Sequence, residues 1–140
     1  MPNPFGKSRK TAEPYAIFRA GGNRATIEVV NHKDATGPAY IYVHWHGDPE
    51  EVASIVRRAA PRMRKSDAMY STARLIGELH NTIEGALSLG VMEPVVAFRD
   101  QWDNGHYIVD LGQGTIDRIW GEDENTIGSA LVAEGLAFYE

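Results

Sequence analysis

The sequence contains no cysteine among its 140 residues, and this absence removes several kinds of site at once. A chain without thiols has no disulfide framework, no thiolate metal ligand and no cysteine nucleophile. It makes no demand on an oxidising compartment, so the simplest expectation is a cytoplasmic protein.

Long apolar segments are also missing. No apolar run approaches the roughly 18 residues needed to span a bilayer, and the opening stretch MPNPFGKSRKTAEP has charges and prolines where a signal peptide needs an apolar region. We interpret residues 1–14 as a basic arm and residues 15–140 as one domain, with no membrane association. The 43% of hydrophobic residues is enough for a real core in a chain of this length.

Positive charge is scarce in the second half of the chain. Residues 1–65 hold 11 Lys or Arg against 6 Asp or Glu, whereas residues 66–140 hold 3 against 13, so the halves carry +5 and −10. The net charge of −5 argues against general nucleic-acid binding, which depends on neutralising phosphates. Halves of opposite charge favour self-association, and we expect a homodimer.

Alternating apolar residues predict the strands. The segments YAIFRA and RATIEVV flank residues 21–23, which are rich in glycine, and this pattern predicts a hairpin. Residues 39–46, AYIYVHWH, are predicted as the third strand, with Ile41, Val43 and Trp45 facing the core. Further on, EPVVAFRDQW, HYIVDL and TIDRIW predict a three-stranded meander with a tight turn at Asn104-Gly105 and a second turn at residues 112–114. In this meander the core face is predicted to carry Val96, Phe98, Trp102, Tyr107, Val109, Leu111 and Ile119.

Helix signals lie between the two groups of strands. Asp48 is predicted to cap a first helix that starts at Pro49 and ends before Pro61. A second helix is predicted from a cap near Ser66 to about Ile83, and residues 126–140 are predicted as a third helix after an acidic turn, GEDEN. The inner stripe of the second helix is predicted to comprise Met69, Thr72, Ala73, Ile76, Leu79 and Ile83.

Together these elements predict an α+β fold. The order βββααβββ indicates an antiparallel sheet of about six strands with two helices on one face, followed by a C-terminal helix.

The sheet face away from the helices is the predicted binding site. Aromatic, histidine and arginine side chains are enriched at interfaces and suit planar or anionic ligands. The residues predicted on this face are Tyr40, Tyr42, His44, His46, Arg99, His106, Arg118 and Trp120. We expect them to bind a protein or a small anionic, nucleotide-like ligand.

Two other groups of residues leave alternatives open. His44, His46 and Asp48 have a spacing that is compatible with metal ligation, and a metal-dependent hydrolase or nuclease is the alternative to a surface histidine pair. A basic cluster near the joint between the helices is interpreted either as a solvated helix end or as a site for a phosphate or an acidic partner. Its members are Arg57, Arg58, Arg62, Arg64 and Lys65. No nucleophile elbow, phosphate-binding loop or dinucleotide fingerprint is present, so we expect a non-enzymatic protein without a cofactor.

The segments YVHWHGDPEEV, SDAMYSTARLIGELH and YIVDLGQGTI resemble a group of small phage and prophage proteins. That group carries a Tyr-x-His-Trp-Asp-Gly-x-Pro-Glu motif ahead of a helix, and His46 stands where the group has Asp. The resemblance covers roughly residues 38–120 and implies a phage-type accessory protein that acts on a host protein. The predicted element order is also similar to that of phage anti-defence proteins of the Thoeris type, which implies binding of a nucleotide-like signal without catalysis.

Overall fold

The computed structural model describes residues 22–82 and 88–136, and it confirms the α+β prediction. These residues form one six-stranded mixed sheet and three α-helices. The strand predicted over residues 15–20, Ile83, and Phe138 of the predicted last helix lie outside the described residues. None of the helices in the described ranges combines the length and apolar character that a membrane span requires.

The elements follow one another along the chain with short connections. In order they are β1 Ala25–Val30, β2 Tyr40–Val43, α1 Pro49–Ala59, α2 Ala68–Thr82, β3 Leu89–Met92, β4 His106–Asp110, β5 Thr115–Trp120, β6 Asp123–Gly128 and α3 Ala130–Gly135. Short 3₁₀ helices lie at Ala60–Arg62 and Val96–Asp100. The strand order across the sheet is β3-β2-β1-β4-β5-β6.

The centre of the sheet is a parallel pair, which corrects the predicted meander. β1 pairs with β4 in parallel, with Thr26 opposite His106, and all other neighbouring strands are antiparallel. The predicted strand at 93–102 is wrong, because residues Val96–Asp100 form a 3₁₀ helix and the place beside β4 is taken by β1. Asn104-Gly105 is therefore a turn ahead of β4, whereas the predicted β4–β5 hairpin is confirmed.

The cap of α1 is confirmed. The Asp48 side chain accepts a hydrogen bond from the Glu51 amide at 3.3 Å, and Pro49 occupies the first turn, where its missing N–H costs nothing. Val52, Ile55 and Val56 then face the core. The Glu51 carboxylate contacts His46 at 3.4 Å, between Oε1 and Nδ1.

The inward stripe of α2 differs from the predicted one. Asp67 caps this helix, because its Oδ1 accepts the Tyr70 amide at 2.9 Å. Leu75 and Leu79 are buried, whereas Met69 is 73% exposed and Ala73 is exposed. Ala68, Leu75 and Leu79 lie at spacings of seven and four residues, so the buried stripe is rotated by about one residue from the predicted one.

The C-terminal part of the fold differs from the prediction, because residues predicted as a turn belong to a strand. Residues predicted as the acidic turn, GEDEN, lie largely in β6, which adds a sixth strand beside β5. The third helix is shorter than predicted, Ala130–Gly135, and Val132 and Leu136 are its buried contacts with the core.

One sheet face packs against the helices, and the other is also largely buried. The main core joins Ile27, Ile41 and Val109 of the sheet to the inward residues of the helices. On the opposite face, Tyr40, His106 and Asp110 are buried, although this face was predicted to be wet or occupied by a partner. Val96 and Phe98, predicted as core, are exposed on the 3₁₀ helix.

Trp45 is the clearest error in the strand prediction. β2 ends at Val43, so the alternation that would bury Trp45 does not continue, and its side chain is 39% exposed.

Candidate functional site

The eight residues predicted for the binding face do not share one face of the sheet. Arg118 lies opposite Tyr107 in the ladder, so Arg118 and Trp120 are on the helix side, whereas Ile119, predicted as core, lies on the face of His106. By location the eight residues separate into two places. Tyr40, Arg99 and His106 belong to a buried polar network on the sheet face away from the helices. The other five lie at the end of the sheet where β2 and β5 finish and β1 and β4 begin: Tyr42, His44, His46, Arg118 and Trp120.

The buried network is centred on the imidazole of His106. Its Nδ1 lies 2.7 Å from Thr26 Oγ1, and its Nε2 lies 2.9 Å from Glu28 Oε1. A neutral imidazole satisfies both contacts, because Nδ1 accepts from the threonine hydroxyl while Nε2–H donates to the carboxylate. β1 and β4 are thereby joined by side chains as well as by their backbone ladder.

Arg99 completes the network from the 3₁₀ helix. Its NH2 group donates to Glu28 Oε1 at 3.2 Å, and its Nε donates to the Tyr40 hydroxyl at 3.0 Å. The second oxygen of Glu28 accepts the Gly37 amide at 2.7 Å. Every oxygen of a fully buried carboxylate is therefore hydrogen-bonded, as an ionised group in an apolar setting requires.

The electrostatics of the pair keep Glu28 charged and His106 neutral. Burial acts to raise the pKa of Glu28, but hydrogen bonds from His106 and the Gly37 amide, with the charge of Arg99, outweigh it and lower that pKa. Burial lowers the pKa of His106, and the neighbouring Glu28 carboxylate only partly opposes the shift. The positive charge that balances Glu28 at neutral pH is therefore that of Arg99.

A hydroxyl, an imidazole and a carboxylate in a row are also the groups of a nucleophilic triad. Here the hydroxyl is that of Thr26, which has no exposed surface. A nucleophile must reach its substrate, so this arrangement favours a structural role in fixing the two central strands.

We define the sheet-end surface by its partly exposed aromatic and cationic residues: Tyr42, His44, Trp45, Trp102, Arg118 and Trp120. The first three of these are in direct contact. The Tyr42 hydroxyl lies 2.7 Å from His44 Nδ1, and the His44 and Trp45 rings meet edge to face at 4.7 Å.

The turn that carries Trp45 is held on both sides. The backbone N–H of Asn23 donates to the His44 carbonyl at 2.7 Å, and the backbone carbonyl of Asn23 accepts the Gly47 amide at 2.9 Å. Gly22 lies so close that a Cβ there would be 2.6 Å from the His44 carbonyl oxygen. His46 has a φ of 67°, a left-handed conformation that is uncommon for a residue with a side chain. The turn is thus pinned, and Trp45 is presented from a fixed backbone.

The second half of the surface is built around residues 102–104. The Trp102 ring meets Tyr42 edge to face at 4.9 Å, and Arg24 lies over it at 5.6 Å. Arg24 forms a forked pair with Asp103, with both nitrogen–oxygen distances at 3.1 Å. Within the described residues, Trp102 Nε1 is buried without a hydrogen-bond partner.

Arg118 and Trp120 extend this surface from β5. The Arg118 guanidinium lies 4.2 Å from the Trp120 ring centre and donates through Nε to the Asn104 carbonyl at 3.0 Å. Trp120 donates its indole N–H to the Asp103 carbonyl at 3.0 Å. Burial lowers the pKa of Arg118 from its ordinary value, because the charged form loses solvation. Two aromatic rings and one guanidinium are thus held in fixed positions around the 103–104 turn.

The three residues considered as metal ligands make separate contacts within the chain. His44 contacts Tyr42, His46 contacts Glu51, and Asp48 caps α1 while accepting a 2.8 Å bond from Asn23. Across residues 22–82 and 88–136, no group of three or more histidine, aspartate or glutamate side chains is placed to hold a metal ion.

The basic cluster is partly neutralised by acidic residues. Arg58 and Arg62 both contact Glu78, at 3.3 and 3.5 Å, and Arg64 lies 3.9 Å from Asp67. Arg64 also stacks over the Tyr70 ring at 3.8 Å. These contacts favour the interpretation of a solvated helix end over that of a phosphate site.

Sequence reasoning missed Glu28, Trp45 and Trp102 as members of the two sites. Glu28 gave one usable signal, since a carboxylate in the middle of the apolar strand ATIEVV must find a cation or a donor when both strand faces are buried. The exposure of Trp45 gave none, because it depends on where β2 ends.

Neither a protein-family model, nor a curated protein, nor a solved structure matches the chain, so the site is interpreted from its own geometry.

Proposed function

We propose that this is a non-enzymatic binding protein that recognises a protein partner through the sheet-end surface. The observation that carries the proposal is Trp45, a large aromatic side chain that is 39% exposed on a turn pinned by Asn23 and by the cap of α1. A rigid, exposed tryptophan loses little entropy on binding and buries a large area, and such residues dominate the energetics of protein interfaces.

A protein partner fits this surface better than a small anionic ligand. The guanidinium of Arg24 donates to Asp103, and that of Arg118 donates to Asn104. Both side chains therefore already use N–H donors in hydrogen bonds within the chain. Phosphate recognition depends on free arginine forks. Fixed aromatic rings with internally bonded polar groups are instead typical of the centre of a protein interface.

The resemblance to small phage and prophage proteins suggests the class of that partner. It supports a phage-type accessory protein that acts in the host cytoplasm on a bacterial protein, with counter-defence as the biological setting. The motif residues that carry the resemblance, YVHWHGDPEEV, include Tyr42, His44 and Trp45 of the sheet-end surface.

The proposal is tested by capture of a partner from a bacterial host lysate. Immobilised wild-type protein should retain a defined host protein, and Trp45→Ala should lose it while melting within a few degrees of wild type. Tyr42→Ala should weaken capture in the same direction. The matched control is Met69→Ala, which removes a more exposed apolar side chain from α2 and should leave capture unchanged.

Equal capture by the wild type and the Trp45 variant would contradict the proposal. The metal-dependent hydrolase remains the alternative, and it predicts stoichiometric metal in protein purified without a nickel column, with loss of that metal in His44→Ala.

Self-association into a homodimer is the second part of the proposed function. It is supported by the charges of +5 on residues 1–65 and −10 on residues 66–140, which attract one another between two copies.

A further inference from the structure

The two edges of the sheet differ in how they are protected against pairing with another chain. β6 carries Asp123 and Glu124, and a register shift between Ile116 and Asp117 distorts its pairing with β5. β3 has the sequence LGVM, with no charge, no proline and regular pairing to β2. Charges and bulges are the usual means by which an edge strand avoids other strands, and β3 lacks them.

Hydrogen-bonding groups of β3 point away from the sheet at two positions. The Ser88 carbonyl accepts the His44 amide at 3.1 Å, so Ser88, Gly90 and Met92 direct their backbone groups toward β2. Leu89 and Val91 alternate with them and direct their N–H and C=O groups outward. Within the described residues, β3 has β2 as its single strand neighbour.

An apolar groove runs beside this edge on the helix side. Val91 lies opposite Ile41 in the ladder, so its side chain is on the face that packs against α2, and it is 64% exposed. The groove has a volume of about 290 Å³ and is lined by Ile41, Ile76, His80, Leu89, Gly90 and Val91. Covering the exposed Val91 side chain and the apolar groove beside it would remove apolar surface from water, which is favourable.

We propose that the edge is covered by a second copy of the chain, with β3 paired antiparallel to the same strand of that copy about a two-fold axis at Val91. This inference rests on the self-association part of the proposed function, but it places the contact on a neutral edge strand within residues 66–140 of both copies, so its support is the open edge and not attraction between oppositely charged halves. With the axis at Val91, both copies exchange N–H to C=O bonds at that residue, and the two valines lie side by side over the joined grooves.

Charge favours this edge as the contact between two copies. Each copy carries a net charge of −5, so an interface must avoid placing acidic groups together. Pairing two β6 strands would place four carboxylates, those of Asp123 and Glu124 of each copy, in one short interface, whereas pairing two β3 strands brings neutral residues together. The paired sheet would have twelve described strands, six from each copy.

The test uses opposite charges at position 91. Val91→Lys and Val91→Glu each place like charges face to face across the axis, so each variant alone should be a monomer by light scattering. An equimolar mixture should regain the dimer mass, because lysine then faces glutamate. Both substitutions replace an exposed side chain whose N–H is not used by β2, and circular dichroism should show native folding.

The control is Glu124→Lys on β6, which should remain as dimeric as the wild type. If the wild type is a monomer at high micromolar concentration, self-association itself is wrong. If the wild type is a dimer and both Val91 variants remain dimeric, self-association stands and β3 is not its surface. If both variants are monomers and mixing fails to restore the dimer, the two-fold axis is not at Val91.

Discussion

Nε2 of His106 lies 2.9 Å from Oε1 of Glu28, and neither side chain has any exposed surface. The two residues are 78 positions apart and belong to the parallel pair at the centre of the sheet. A slip of one residue between β1 and β4 would send the two side chains to opposite faces and leave a charge buried without its donor. The pair therefore specifies the register of the central strands.

Removing the carboxylate should be strongly destabilising. Glu28→Ala leaves the guanidinium of Arg99 and the Nε2–H of His106 without their acceptor, and loss of one partner from a buried ionic contact costs roughly 3 to 5 kcal/mol. Urea denaturation should show this decrease in the free energy of unfolding. Glu124→Ala, at an exposed position on β6, is the control and should change it by less than about 0.5 kcal/mol.

Acid should destabilise the protein through the same pair. The pKa of His106 is lower in the folded protein than its ordinary value because the ring is buried. As the pH falls below about 6.5, the unfolded chain takes up a proton that the folded protein does not, so the free energy of unfolding decreases until the lower folded pKa is reached. The pKa of Glu28 is also lowered, and its stabilising contribution is lost at still lower pH.

Thermal unfolding between about pH 7.5 and pH 5 measures this dependence. His106→Gln keeps an N–H donor for Glu28 but cannot titrate, so its melting temperature should start lower and vary less with pH over that range. His80→Gln, on the exposed side of α2, should keep the wild-type slope. An equal slope in the His106 variant would show that the acid effect arises elsewhere.

Local signals in the sequence predicted the elements that depend on neighbours in the chain. The Asp48-Pro49 cap set the start of α1, and glycines at 112 and 114 marked the β4–β5 hairpin. The hairpin predicted at Asn104-Gly105 is wrong because β1, about 80 residues earlier in the chain, pairs with β4 in place of residues 93–102. The position of Glu28 in the apolar strand ATIEVV signals a buried carboxylate that needs a partner, but the identity of that partner, His106, depends on the pairing of β1 with β4 and could not be predicted.

Trp45→Ala should leave the fold almost intact. The side chain is 39% exposed, so its truncation should cost less than the roughly 3 to 5 kcal/mol typical of a core tryptophan. Leu75→Ala, at a fully buried position of α2, is the comparison and should cost roughly 2 to 5 kcal/mol. Chemical denaturation of the two variants distinguishes them, and early unfolding of the Trp45 variant would mean that the 44–48 turn depends on the indole.

The start of α1 should depend on Asp48 as a cap. Asp48→Ala removes the acceptor for the Glu51 amide and the acceptor for Asn23, so the free energy of unfolding should fall by about 1 kcal/mol. The loss should be the same with and without a chelator, since the role is a hydrogen bond. Asp48→Asn should recover most of the stability, because asparagine caps a helix nearly as well. A loss that appears only with metal present would assign Asp48 to a metal site.

The parallel contact at the middle of the sheet also sets when the protein can fold during its own synthesis. β1 ends at Val30, but the strand that covers its second edge ends at Asp110. At translation rates of about 5 to 20 residues per second, roughly 4 to 16 seconds separate the two. Throughout that interval ATIEVV, with its buried carboxylate still unpaired, is a strand with an open edge on the ribosome, and the nascent chain depends on that edge finding no other strand first.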